Sequence, residues 1–299
     1  MLTLNHEDLL IKVLPEYGGG IVEANFREIQ FMFRPPTKAQ APKFLGNEDD
    51  WVRAWHGGWQ PLLPNAGTEY LAGKFPQGFH GNASQAPWKI ERATNSLVDL
   101  SWEEELLNCT RQIKVAKSEI LVAGTIKNLD HMEREIIITE HLIFGDEFLS
   151  KDVEIVVDPK AYFSELGLDA RGENSKVVSW GDQSISNWKF VTSKTPARLG
   201  VFSKVGNSGV QLISKDIDFQ LTWDQTAFPY AWIWEEIKAS KSEPWNGEYL
   251  ALGIEPSTCP HGAGLGNKKS NHIVKTLEPN EVFTWWVKLK INQEKDGQG

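Results

Sequence analysis

This chain of 299 residues predicts an all-β fold, an antiparallel sandwich or barrel. Three observations carry that prediction. Apolar and polar residues alternate at period two over many short runs rich in β-branched and aromatic residues. Gly, Pro, Asn and Asp clusters separate the runs. No helical period is sustained over a dozen residues. Strands with no helices between them must bury their apolar faces sheet against sheet, or in a closed barrel.

Taken in order, "DLLIKVLP" opens as a strand. "NSLVDLSW", "RQIKVA", "SEILVAGTIKNL", "REIIITEHLIF", "GVQLISKDIDFQLTW" and "VFTWWVKLKIN" follow. "YLALGIEPSTCP" reads as an apolar strand ending in a turn, and "AYFSELGLDA" as a short helical turn at most. "EYGGG", "PNAG", "KNLD", "VGNSG" and "LEPNE" are the turns between them. Strand signals continue through the middle with no linker, so residues 1–292 are read as one domain and 293–299 as a polar tail. Two stretches break the rhythm, 49–88 and 255–272. Long irregular segments in a compact β domain are usually functional or disordered, and these hold Trp, His, Asn and Glu.

Composition narrows the function. The formal net charge of -9 opposes a non-specific nucleic-acid binder, which needs a basic face. Cys109 and Cys259 are far apart and show no metal-ligand spacing. No run is long enough to span a bilayer as a helix, and "MLTLNHEDLL" lacks a basic-then-apolar leader, so a cytoplasmic location without a membrane partner is expected. "HExxH" and "GxSxG" are missing. "GAGLG" at Gly262 is followed by strand-like sequence, not a helix, and is no dinucleotide loop. The acidic runs Glu103 to Glu105 and Glu235 to Glu236 read as solvated faces or strand edges. The 13 tryptophans are expected mostly in the core, with a minority left as stacking platforms.

Three ionisable groups remain as a constellation. His80 lies in "GFHGNASQAPWKI", a loop of neutral hydrogen-bonding side chains suited to a polyhydroxylated ligand. His141 lies in "IIITEHLIF", where alternation puts Ile136, Ile138 and Glu140 on one face and Ile137, Thr139 and His141 on the other. Glu255 ends an apolar strand just before Pro256. A lone strand His or strand-end Glu is more often structural. The case rests on the three together.

The order "GGWQPLLPNAG", "FPQGFHGNASQAPW", "TEHLIF", "GIEPSTCP", "TLEPNEVFTWWVKL" resembles the aldose 1-epimerase family, the galactose-mutarotase-like proteins, over nearly the whole chain. The resemblance implies a large antiparallel β-sandwich that interconverts the α and β anomers of a hexose, with no metal or other cofactor. It implies Glu255 as general base, His141 as general acid and His80 as a substrate-positioning residue. Gln60, Asn65, Asn82, Asp224 and Trp234 join the substrate-binding candidates; Asp224 and Asp182 are the weak counterparts of the family's substrate-binding Asp. Ala66 stands where galactose-type members carry an Arg, and Ser84 where hexose-6-phosphate epimerases hold phosphate with an Arg. Arg53, Lys74, Lys268 and Lys269 are the loop cations that could take over the phosphate. A hexose-6-phosphate 1-epimerase is therefore one alternative. The others are a non-catalytic carbohydrate-binding protein and a glycosidase with paired carboxylates. Small sugars are the expected partners in every case.

Overall fold

The computed structural model describes residues 1–292 except 73, 168–174, 193–194 and 268–272. The tail 293–299 and the lysines Lys268 and Lys269 lie outside the described residues. Two large antiparallel sheets face each other across a common core. The first runs in spatial order Leu2–His6, Leu9–Leu14, Gly20–Phe26, Trp59–Leu62, Thr139–Phe144, Leu250–Ser257, Tyr230–Ile237, Arg198–Ser203, Tyr162–Glu165, Val178–Ser179. We call it the site sheet. The second, the back sheet, is centred on Asp218–Trp223, Val282–Asn292, Glu119–Asn128, Leu107–Ala116 and Leu97–Glu104.

The back sheet shows why the period-two reading works. Its outer face meets solvent, so inward apolar positions alternate with outward polar ones. Along Leu107–Ala116 the inward set is Leu107, Cys109, Arg111, Ile113 and Val115. Each fully buried aliphatic side chain contributes about 1.5–3 kcal/mol relative to exposure. Arg111 is the exception in that row. Its Nη1 donates to both oxygens of the buried Glu140 at 2.6 and 2.8 Å. Trp59 Nε1 and Trp285 Nε1 each donate to the same carboxylate at 2.8 Å. Gly124 makes the room for this, since a Cβ there would lie 2.2 Å from the Trp285 ring.

The site sheet is covered on both faces. One packs on the back sheet; the other carries a second apolar cluster that includes Phe33, Trp51, Trp55, Ile143, Trp232 and Tyr249. Thr139–Phe144 is accordingly buried at every position.

Three sequence expectations are corrected. Residues 134–144 do not form one strand: Arg134–Ile136 pairs with Lys275–Leu277, and only Thr139–Phe144 enters the site sheet. The extended backbone keeps the alternation across the break, so Ile136, Ile138, Leu142 and Phe144 still face the inter-sheet core while Ile137 and Ile143 face away. "AYFSELGLDA" is not helical where it is described; Tyr162–Glu165 is a strand paired to Arg198–Ser203, because that pairing buries Phe163. Its last residues lie outside the described set. The stretch 49–88 is not irregular throughout. Asn47 starts a helix, Glu48–Ala54, with a capping box: its side chain accepts from Asp50 N, and its own N–H donates to the Asp50 carboxylate. Trp59–Leu62 is then a strand inside the site sheet. Among the described residues no helix is long and apolar enough to cross a membrane.

Candidate functional site

Register places the central pair. Thr139 pairs with Ser257 and Ile143 with Gly253, which sets His141 across from Glu255 on neighbouring strands. Trp232 pairs with Glu255 from the other side. His141 Nε2 and Glu255 Oε2 stand 3.8 Å apart, and both side chains are almost fully buried. Glu255 also relies on Gly253, where a Cβ would sit 2.4 Å from Glu255 Oε1 and 2.9 Å from Ile143 Cδ1. The glycine is the seat of the carboxylate.

The loop at 78–88 builds the wall above this pair. His80 has a left-handed φ of 62° and is followed by Gly81 at 77°, where a Cβ would lie 2.4 Å from Leu63 O. The turn points the imidazole inward, with its ring centroid 5.4 Å from that of His141. His80 Nδ1 accepts from Gly67 N at 2.9 Å, so the ring proton of the neutral form sits on Nε2 as a donor. The other polar side chains of the loop hold structure. Ser84 Oγ accepts from Trp51 Nε1 at 2.9 Å, and Gln85 Nε2 donates to Trp51 O. These bonds clamp the helix Glu48–Ala54 so that Trp51 and Trp55 stand edge-on to His141, at 5.7 and 5.3 Å. Trp88 turns back into the inter-sheet core and donates to Ala83 O.

Together these elements enclose a cavity of about 430 Å³. Trp51, Trp55, Trp232, Trp234 and Trp245 line much of it, and the Trp234 ring lies nearly parallel to that of His141, 6.5 Å away. Its described lining holds three carboxylates, Glu48, Glu236 and Glu255, and no lysine or arginine. Burial lowers the His141 pKa to about 3 and raises that of Glu255 well above the ordinary carboxylate range. Burial, then the neighbouring His141, also lowers His80 well below the usual imidazole value. Burial thus favours the neutral form of both histidines and shifts Glu255 toward its protonated form. At 3.8 Å the His141–Glu255 approach is longer than a hydrogen bond, and burial works against charging either group. Two lining residues keep a buried nitrogen without a protein partner, His141 Nδ1 and Trp55 Nε1. Such a group costs about 1–3 kcal/mol. Among the described residues no cluster of three or more His, Cys, Asp or Glu is placed to hold a metal ion.

A sequence profile described as a domain of unknown function, DUF4432, matches residues 1–291. The chain belongs to this family. No curated protein matches the sequence. Solved structures match its fold closely. A galactose mutarotase-like protein from Clostridium acetobutylicum superposes with a TM-score of 0.68 at 18% identity, covering 98% of this chain and 95% of the other. One from Lactobacillus casei gives 0.71 at 15% identity, with 98% and 100% covered. The galactose mutarotase related enzyme from Lactobacillus acidophilus gives 0.70 at 14% identity, with 99% and 98% covered. This DUF4432 chain thus has the galactose-mutarotase-like fold.

Of the residues singled out from the sequence, Glu255, His141, His80 and Trp234 meet around the one cavity. Gln60 pairs with His141 in the sheet, but its amide donates to Ser84 O at 3.4 Å. Asn65 is fully buried and joins three loops: its Nδ2 donates to Thr68 O and Gly78 O, and its Oδ1 accepts from Leu265 N. Asn82 lies outside the cavity lining, held by Gly78 N, Pro76 O and the Glu104 carboxylate. Asp224 also lies outside it, as a turn former that accepts from Thr226 N and Ala227 N. Asp182 likewise caps Ser184 N. Of the loop cations, Arg53 pairs with Glu243, and Lys74 reaches Asp130 at 3.6 Å.

In this DUF4432 member the reading of Glu235 and Glu236 as solvated is overturned, for both are buried. They sit on opposite faces of Tyr230–Ile237. Glu235 meets Arg198 in a two-pronged pair, and burial lifts its pKa to about 7 against the pull of that cation. Glu236 faces the cavity. The signal was present in "YAWIWEEI", where period two puts Trp232, Trp234 and Glu236 together. A strand apolar on both faces hides it.

Proposed function

We propose that this protein is an aldose 1-epimerase acting on an uncharged aldose, with Glu255 and His141 as its acid–base pair. The observation that carries the reading is the 3.8 Å separation of His141 Nε2 and Glu255 Oε2 in a buried, indole-lined cavity. Anomer exchange takes a proton from the hydroxyl O1 and gives one to the ring oxygen O5 as the C1–O5 bond breaks. Those two oxygens share one carbon and lie closer together than 3.8 Å, so one side chain can face each. Rotation about C1–C2 then presents the other carbonyl face, and the transfers reverse.

The pair holds one proton, and burial favours it on Glu255. In that state Glu255 gives and His141 takes on ring opening, and closure restores both. The assignment drawn from the family resemblance, Glu255 as base and His141 as acid, starts instead with the shared proton on His141 and with Glu255 facing O1. A pair poised this way needs no net proton from solvent. Positioned acid–base groups contribute about 10²–10⁴-fold in rate. His80 Nε2 supplies a fixed donor for a sugar oxygen, and the indoles offer flat faces to the ring C–H groups. The absence of Lys and Arg from the described lining supports a free sugar over its phosphate.

Polarimetry on freshly dissolved α-glucose and α-galactose tests the proposal: the protein should shorten the approach to equilibrium in proportion to its concentration. Exchange no faster than in buffer refutes it. Calorimetric binding of the same sugars would then favour the non-catalytic carbohydrate-binding protein.

A further inference from the structure

The cavity is longer than one sugar ring. Trp232, Trp234 and Glu236 share its face of Tyr230–Ile237, and Trp232 pairs with Glu255. Glu236 thus lies four residues along the strand from the acid–base pair, roughly 13 Å at the usual strand rise. That is about twice the span of a pyranose from O1 to O4.

The far end is built as carefully as the near one. Glu236 is buried, and its Oε1 accepts from Ala239 N at 2.7 Å and Ser240 N at 2.9 Å. Its Oε2 accepts from Ser240 Oγ at 2.6 Å. Three donors lock the carboxylate, and one lone pair, on Oε2, is left for a ligand hydroxyl. Trp245 lines the same cavity, 5.7 Å from Trp234 and 4.9 Å from Tyr249. Trp234 lies between the two ends as a shared floor.

We infer that this far end is a second sugar subsite, which takes the non-reducing ring of an uncharged reducing disaccharide. A fixed carboxylate and an indole in one cavity fit a pyranose, since one accepts from a ring hydroxyl while the other covers the C–H face. The reducing ring must sit at Glu255 and His141, because only that ring keeps a free hemiacetal. The inference rests on the epimerase reading for which ring goes where. The subsite itself rests on the register and on the Glu236 cradle.

The experiment compares kcat/KM for anomerisation of glucose and galactose with that of maltose, cellobiose and lactose, in the wild type, Glu236→Gln and Trp245→Ala. Calorimetric titration of the same sugars runs alongside, and thermal melts verify folding. At least one disaccharide should exceed its reducing-end monosaccharide tenfold, chiefly through KM. That ratio should fall at least fivefold in Glu236→Gln or Trp245→Ala; should neither fold, Trp245→Phe carries the comparison. Disaccharides handled no better than monosaccharides, or a ratio unmoved in the folded variants, would overturn the subsite. If the wild type speeds no exchange yet binds a disaccharide tenfold tighter than glucose and loses that preference in the variants, the subsite stands and the epimerase reading falls. Binding of none of these sugars sinks both.

Discussion

Gly253→Ala adds one carbon at the most constrained point of the site. The new Cβ would lie 2.4 Å from Glu255 Oε1 and 2.9 Å from Ile143 Cδ1. Ordinary contact begins near 3.4 Å, so the carboxylate must retreat by roughly 1 Å. Ile143 cannot absorb the strain, because it is fully buried in the neighbouring strand. Overpacking of this kind costs about 1–3 kcal/mol in stability, which a large sandwich survives. Displacement of a reacting group by about 1 Å can cost 10²-fold in rate. The variant should therefore fold, melt several degrees lower and anomerise α-glucose about a hundredfold more slowly, with KM moved far less than kcat. Initial rates by polarimetry, set beside circular dichroism melts, read both quantities. A folded Gly253→Ala that keeps more than a third of wild-type kcat would refute the placement of Glu255 at the reacting atoms.

Glu255→Gln should lose at least about a hundredfold in rate with similar sugar binding by calorimetry. Its stability should change with a definite sign. Burial raises the folded-state pKa of Glu255 above 4.5, so the wild type loses stability as pH rises from there toward the raised value, whereas Gln carries no such proton. The melting advantage of the variant should grow as pH rises above 4.5, and a flat difference would contradict the buried-acid assignment. His141→Asn should fold normally and slow exchange by more than tenfold, since Asn hydrogen-bonds but transfers no proton at neutral pH; unchanged turnover removes His141 from the chemistry. Arg111→Met should cost about 3–5 kcal/mol in urea unfolding, because Glu140 would be left buried without its cation. Less than about 1 kcal/mol, or no recovery when Glu140→Gln is added, would show that the pair is not what holds Glu140 in the core.

The candidate site was only partly legible in the sequence. Alternation in "TEHLIF" put His141 on the face opposite Glu140, and the structure places Glu140 with Arg111 between the sheets and His141 at the cavity. The polar loop at 78–88 misleads, because polarity does not say what a side chain bonds to. Ser84 and Gln85 hold the Trp51 helix, Asn82 meets Glu104, and His80 alone of that polar set lines the cavity. A capping box at Asn47 was readable by spacing, but it lay among aromatic residues that gave no helical period.

By itself the sequence determined an all-β antiparallel fold and the alternating faces of the main back-sheet strands, although it ran Val210–Ile213 and Asp218–Trp223 together as one strand. A sheet with one wet face writes its geometry into every second residue, as Leu107–Ala116 and Glu119–Asn128 show. The tertiary structure decided the site sheet. Tyr230–Ile237 and Leu250–Ser257 are covered on both faces, so polarity no longer marks which way a side chain points. The meeting of His141 with Glu255 is a matter of register between strands more than a hundred residues apart in the chain. Local sequence carries no record of such a pairing, because it is settled by which faces the whole sandwich can bury at once.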